Sequence, residues 1–144
     1  MAELVHNIRR SEEYVPDLAL VAEEEGDIVG HIVMSYAALQ GKEEMSVLLL
    51  SPLGVRSDHQ RRGIGAALVG TGLGVADARK EPLVVVEGVP SYYPRLGFER
   101  ARSHGIEPPH SKVPDEAWMV QRLSAYTTRF QGRVVYPAAF DAFA

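Results

Sequence analysis

Apolar and polar positions change rhythm several times along the chain, and each change marks an element. Leu4, Val5 and Ile8 recur at helical spacing ahead of Pro16, which predicts a short amphipathic helix within residues 2–15. Leu18–Ala22 is an apolar run of strand length. Glu23-Glu24-Glu25-Gly26-Asp27 then reads as a polar hairpin turn in which glycine supplies the unusual backbone angle. A second strand over Ile28–Leu39 and a third over Met45–Val55 follow, parted by the turn Gln40-Gly41-Lys42. Ser51-Pro52 falls in the middle of the third strand. Proline has no N–H to give a ladder, so a bulge or splay is expected there.

After the polar stretch Arg56–Arg62, the positions Ile64, Ala67, Leu68, Leu73 and Ala76 predict a helix, closed by Pro82. Gly70, Gly72 and Gly74 weaken it, each by about 0.5–1 kcal/mol if exposed. Leu83–Val86 is a short continuous apolar run, typical of a strand covered on both faces. Strand, helix and strand with a crossover of this length predict a parallel pair with a right-handed connection. Pro90–Leu96 reads as a short helix, Phe98–Ala101 and Ala117–Leu123 as late strands, and the tail from Tyr126 onward shows no clear period. The expected class is mixed α+β with a central sheet, in one domain spanning 1–144.

Charge and composition narrow the chemistry. The chain has 15 Lys+Arg against 19 Asp+Glu, a net charge of −4, which argues against a dedicated nucleic-acid binder. It has no cysteine, so disulfides, thiolate metal sites and a cysteine acyl intermediate are excluded. Its five histidines form no HxxxH or HExxH pair, and no metal is expected. No apolar run approaches the roughly 18–20 residues of a membrane span, and the first residues lack a signal peptide's basic flank. A cytoplasmic protein with no membrane partner is the expectation.

Gly63-Ile64-Gly65 lies between a strand and a helix. Amides at a helix N-terminus have no intrahelical partner, the helix dipole adds partial positive charge, and glycines let a diphosphate come close. Arg61 and Arg62 add formal charge in the same place. These features point to an anionic cofactor. A dinucleotide fingerprint fits less well: Gly63-x-Gly65 is followed by Leu68 where a third small residue is needed, and Ser57–Arg62 intervene after the strand. There is no Gly-Lys-Ser/Thr either, so the chain has no Walker loop.

The run Val55–Leu68, with Gln60-Arg61-Arg62-Gly63-Ile64-Gly65 inside it, resembles the Q/R-x-x-G-x-G/A signature of the GNAT superfamily of N-acetyltransferases. Tyr92-Tyr93-Pro94-Arg95-Leu96-Gly97-Phe98 is similar to that superfamily's second signature, and the tail segment 132–137 looks like a bacterial subgroup of it. The resemblance implies a central mixed sheet with a splayed parallel pair and flanking helices. It implies acetyl-CoA as cosubstrate, a small-molecule or peptide amine as acceptor, and direct acetyl transfer. Leu53, Gly54 and Val55 would offer backbone groups to the pantetheine arm. Gln60, Arg61, Arg62, Gly63, Ile64, Gly65 and Ala66 would hold the pyrophosphate. Tyr93 falls at the general-acid position, with Tyr92 and Phe98 read as packing aromatics.

Three departures stand out. Relatives usually begin with a further strand and helix, which read as missing here; the uncovered edge suggests a homodimer. The third strand carries no carboxylate over Val47–Ser51, which leaves Glu87 as the candidate base. The helix carries its three glycines. The first two departures motivate an alternative, a coenzyme A-binding sensor or structural module without turnover.

Overall fold

The computed structural model describes residues 2–143. Helix α1 (Ala2–Arg9) forms where Leu4 and Ile8, one turn apart, bury together. It ends earlier than the spacing suggests, with the Ser11 hydroxyl donating to the Ile8 carbonyl at 2.7 Å. Strands β1 (Tyr14–Glu24), β2 (Asp27–Gln40) and β3 (Glu44–Val55) form an antiparallel run. β1 reaches back through Pro16, and its ladder slips between Tyr14 and Ala19, where the proline has nothing to donate. Helix α2 (Ile64–Ala78) and strand β4 (Leu83–Glu87) complete the crossover, and β4 pairs parallel to β3 as expected.

The remaining strands are short: β5 (Glu99–Arg100), β6 (Ile106–Glu107), β7 (Trp118–Arg122) and β8 (Gly132–Val135). Of Pro90–Leu96, expected as a short helix, only Tyr93–Leu96 is helical, as a single 3-10 turn. The strand expected over Phe98–Ala101 shrinks to the two residues of β5, and a further 3-10 turn begins at Ala101. The aperiodic tail holds a strand. β8 pairs antiparallel with β2 at Ala38–Gln40 and parallel with β6. Four residues are too few to carry a readable period, and their partners lie far away in the chain.

The sheet order is β5-β7-β4-β3-β2-β8-β6, with β1 sharing the outer edge of β2 with β8. β1 has no second strand neighbour among the described residues, so the open edge expected from the sequence sits there. The sheet curls strongly. Indole Nε1–H of Trp118, on β7 near one end of the order, donates to the carbonyl of Ile106, on β6 at the other end, at 3.0 Å. Inside the curl lie Val33, Leu49, Val85, Trp118 and Val120, closed over by Leu4 and Ile8 of α1 and by Phe140. The opposite face packs Ile32, Met34, Leu48, Val84 and Met119 against Leu68, Val69 and Ala76 of α2.

The three glycines of α2 divide by environment. A Cβ at Gly72 would meet the Met34 methyl at 2.9 Å, so this glycine lets the helix sit close to β2. A Cβ at Gly70 or Gly74 meets nothing within 4 Å. Gly70→Ala and Gly74→Ala should each stabilise the fold by about 0.5–1 kcal/mol, from lower unfolded-chain entropy. Gly72→Ala should give no such gain. Urea denaturation of the three variants checks this, and a gain at Gly72 matching the other two would contradict the packing described.

Candidate active site

β3 and β4 pair through two registers, Leu48 with Val84 and Leu49 with Val85. Beyond them β3 runs on to Val55 and β4 to Glu87 without pairing to each other. The cause is visible on the other side of β3. Ile32 faces Leu53 and Met34 faces Leu50, so Val33 alone opposes both Ser51 and Pro52. This is the bulge expected at the proline, and it turns the end of β3 away from β4.

The loop after β3 frames a cavity of about 610 Å³. Of the expected cofactor residues, Leu53, Val55, Gln60, Arg61, Gly63, Ile64, Gly65 and Ala66 line it; Gly54 and Arg62 do not. The Gln60 side-chain amide donates to the Val55 carbonyl at 3.1 Å and pins the loop to the strand end. Arg61 and Gly63 take left-handed conformations, φ 65° and 82°, of the kind that gather successive N–H groups on one concave side. The first bond of the α2 turn runs from the Ala67 N–H to the Gly63 carbonyl at 3.0 Å, and no side chain caps the helix. Amides of Ile64, Gly65 and Ala66 are therefore the orphan donors of a helix start, in a cavity whose lining contains no carboxylate. Such a cradle fits a polyanion.

The two arginines part company. Arg62 donates to Glu24 at 2.7 Å, and Glu24 also meets His59 Nε2 at 3.0 Å, while His59 Nδ1 lies 2.7 Å from Asp58. Arg62 thus ties the loop to the end of β1, and its hydrogen bond holds the Glu24 carboxyl below the usual carboxylate range. Arg61 has no ion-pair partner among the described residues and faces the cavity. Gly54 has a different task from the loop glycines: a Cβ there would meet the His31 ring at 2.7 Å. His31 fills that space with Nε2 buried and unpartnered, and burial followed by the nearby Arg9 lowers its pKa.

The tyrosines are placed by the 3-10 turn after β4. Tyr92, read from sequence as a packing aromatic, lines the cavity. Its hydroxyl lies 2.6 Å from where a Cβ on Gly65 would be, so the second loop glycine makes room for a side chain of the other motif. Tyr93 is 8% exposed, edge-on to Tyr92 and Phe98 with ring centroids 5.1 and 5.4 Å away. Its ring presses on Gly88, immediately after β4, where a Cβ could not fit. Burial pushes its hydroxyl pKa up to about 12. Phe98, 4% exposed, packs as expected.

Glu87 stands exposed at the open end of β4. The Tyr136 hydroxyl donates to its Oε1 at 3.1 Å. Tyr136 is held by Trp118 and Phe140, with ring centroids at 6.4 and 5.7 Å, and burial reinforced by Glu87 raises its pKa far above the ordinary tyrosine value. It stays a donor at any working pH. Tyr136, Tyr92 and Arg95, which also lines the cavity, were not among the expected site residues. Among the described residues, no group of three or more His, Cys, Asp or Glu could hold a metal, and no helix is long and apolar enough to cross a membrane.

The arrangement is thus a sheet opened between two parallel strands beside the unpaired amides that start the crossover helix. Residues 16–100, more than half of the chain, match the family model described as "Acetyltransferase (GNAT) domain", and the chain belongs to the GNAT acetyltransferases. It is similar to the uncharacterized N-acetyltransferase YjhQ of Escherichia coli, 33% identical over 137 residues, covering 92% of this chain and 76% of that protein. It is 34% identical over 146 residues to the uncharacterized N-acetyltransferase YhbS of Escherichia coli K12, covering 99% and 84%. The crystal structure of Escherichia coli YhbS in complex with CoA superposes with a TM-score of 0.87 at 30% identity, covering 99% of this chain and 78% of that one. A GNAT family acetyltransferase from Brucella melitensis in complex with acetyl-CoA gives 0.76 at 29%, covering 96% and 77%.

The contact between Gly65 and Tyr92 is open to test. Gly65→Ala should destabilise the fold by about 1–3 kcal/mol, as overpacking does. Adding Tyr92→Phe, which removes the obstructing oxygen, should recover most of that loss. Melting temperatures of the single and double variants decide; additive effects would show that the two motifs do not touch.

Proposed function

We propose that the protein transfers an acetyl group directly from acetyl-CoA to a primary amine. One observation carries the reading: the orphan amides of Ile64, Gly65 and Ala66 line the same cavity as Leu53 and Val55, on the stretch of β3 that has parted from β4. A polyanionic head and a thin arm can then be bound side by side, the pyrophosphate by the amides with Arg61, and the pantetheine along Leu53–Val55 as an added strand. The CoA complex of YhbS and the acetyl-CoA complex of the Brucella protein support this reading.

The residues around the gap supply the chemistry. An amine with a pKa near 10 is about one part in a thousand neutral at pH 7, so a base must take its proton. Glu87 takes that role in this reading, which is supported by its exposure at the end of β4 and by the Tyr136 hydroxyl that orients one of its carboxylate oxygens. The amine nitrogen attacks the thioester carbon, the C–N bond forms, and the C–S bond breaks. A backbone amide near Leu53 polarises the carbonyl oxygen. Tyr93 donates its proton to the departing sulfur. Its raised pKa means that the acid form persists across the working pH range rather than titrating away. With no cysteine in the chain, attack by the amine itself agrees with the composition.

Acetyl-CoA at 100 times its Kd should add about 2.7 kcal/mol of stability and raise the melting temperature, while phosphate-free pantetheine should do far less. Equal shifts would contradict the assignment of the loop. Tyr93→Phe should lower turnover by roughly 10- to 1000-fold at pH 7, a span that follows the usual worth of a general acid. The deficit should shrink above about pH 8.5, where the thiolate leaves without help. Thiol release with the best acceptor from a panel of primary amines, followed against pH, measures this. Unchanged turnover at pH 7 would reduce Tyr93 to a packing residue.

A further inference from the structure

The arginines at this end of the molecule have an uneven charge balance. Arg56 pairs with Asp58 at 2.9 Å and Arg62 with Glu24 at 2.7 Å. Arg61 and Arg95 have no carboxylate partner among the described residues, and both line the one cavity that holds the loop amides. They come from different segments of the chain. Arg61 belongs to the loop itself; Arg95 belongs to the 3-10 turn Tyr93–Leu96, which follows β4. Arg95 lines the cavity together with Tyr92, the residue just before the turn, whose hydroxyl abuts Gly65. The Tyr92–Gly65 contact holds the start of this turn against the loop.

Resting on the coenzyme reading above, we infer that Arg95 binds a phosphomonoester, the 3′-phosphate on the ribose of coenzyme A, and makes the protein discriminate that coenzyme from its 3′-dephospho form. Coenzyme A carries two kinds of phosphate. The pyrophosphate is bridged, compact and suited to a run of backbone amides with one guanidinium beside it, which is what the loop with Arg61 provides. The monoester carries about −1.5 to −2 charges on three terminal oxygens and matches a guanidinium fork. With Arg62 engaged by Glu24, Arg95 is the unpaired cation left to meet it. Among the described residues, no acidic side chain lines the cavity to compete for the guanidinium. Arg95 is itself solvent-exposed, which limits the gain to roughly tenfold in affinity, the lower end for a hydrogen bond between charged groups.

Calorimetric titration of the wild-type chain, Arg95→Gln and Arg61→Gln with coenzyme A and with 3′-dephospho-coenzyme A tests the assignment. Wild type should favour coenzyme A by about tenfold. Arg95→Gln should bring the two Kd values within about twofold of each other while leaving that for the dephospho form unchanged. Arg61→Gln should weaken both ligands and keep the preference. A preference that survives Arg95→Gln, or an Arg95→Gln that weakens both ligands alike, would overturn the inference while leaving the coenzyme reading intact. A wild type that binds the two forms equally would overturn it as well. Failure of the wild type to bind either ligand would overturn the coenzyme reading and the inference together. Because Arg95 is exposed and makes no ion pair among the described residues, its replacement should not disturb folding; an unchanged melting temperature confirms that the loss is one of recognition.

Discussion

Everything at the site depends on two strands that must pair and then part. β3 and β4 hold each other through two registers, Leu48–Val84 and Leu49–Val85, and the pairing stops there. Neither strand loses its other neighbour: β3 keeps β2, and β4 keeps β7 as far as Glu87 with Trp118. The gap is thus built into a continuous sheet at little cost in rigidity. Buried backbone polar groups need partners, so two facing strand edges without one another are a place for water or for a ligand with amide groups of its own. Pro52 removes one donor outright, and the extra residue opposite Val33 aims the end of β3 away.

The loop that follows is held before any ligand arrives. Gln60 fastens it to Val55, Arg62 fastens it to Glu24 on β1, and Gly65 seats the Tyr92 hydroxyl. Three attachments to three different elements leave the loop amides little freedom to lose on binding, which is how preorganisation favours affinity. The same economy appears at the gap. Tyr93 is locked between Gly88, Tyr92 and Phe98, and Glu87 is steadied by a tyrosine that is itself wedged against Trp118 and Phe140. Rigid neighbours on the scaffold hold both side chains in place.

Strong short-range patterns in the sequence match the fold. Weak ones, such as Pro90–Leu96 with its single 3-10 turn, match it only in part, and contacts between distant segments do not show in the sequence. The Pro52 break, the crossover helix, its glycine-started N-terminus and the parallel strand after it are all short-range patterns, visible within about ten residues. The pairing of β8 with β2 was invisible because four residues carry no period and their partners lie in the first third of the chain. The division of labour between Arg61 and Arg62 could not be seen from their adjacency; it is decided by Glu24, 38 residues away. Tyr136 meets Glu87 across 49 residues, a separation that no local pattern spans. Tyr92 and Tyr93 are neighbours in sequence with different surroundings, one on the cavity wall and one in the core. Alternating polarity could not have told them apart, since both are tyrosines.

Amide hydrogen exchange with and without acetyl-CoA tests most directly whether the gap and the loop form one binding site. The orphan amides of Ile64–Ala66 should exchange fast in the free protein, because no protein acceptor holds them. Saturating acetyl-CoA should slow exchange in two stretches together, the loop with the first turn of α2 and the end of β3 from Leu53 to Val55, with the short β6 and β8 unaffected. Protection of the loop without the end of β3, or protection elsewhere with both left unchanged, would contradict the placement of the coenzyme between the parted strands.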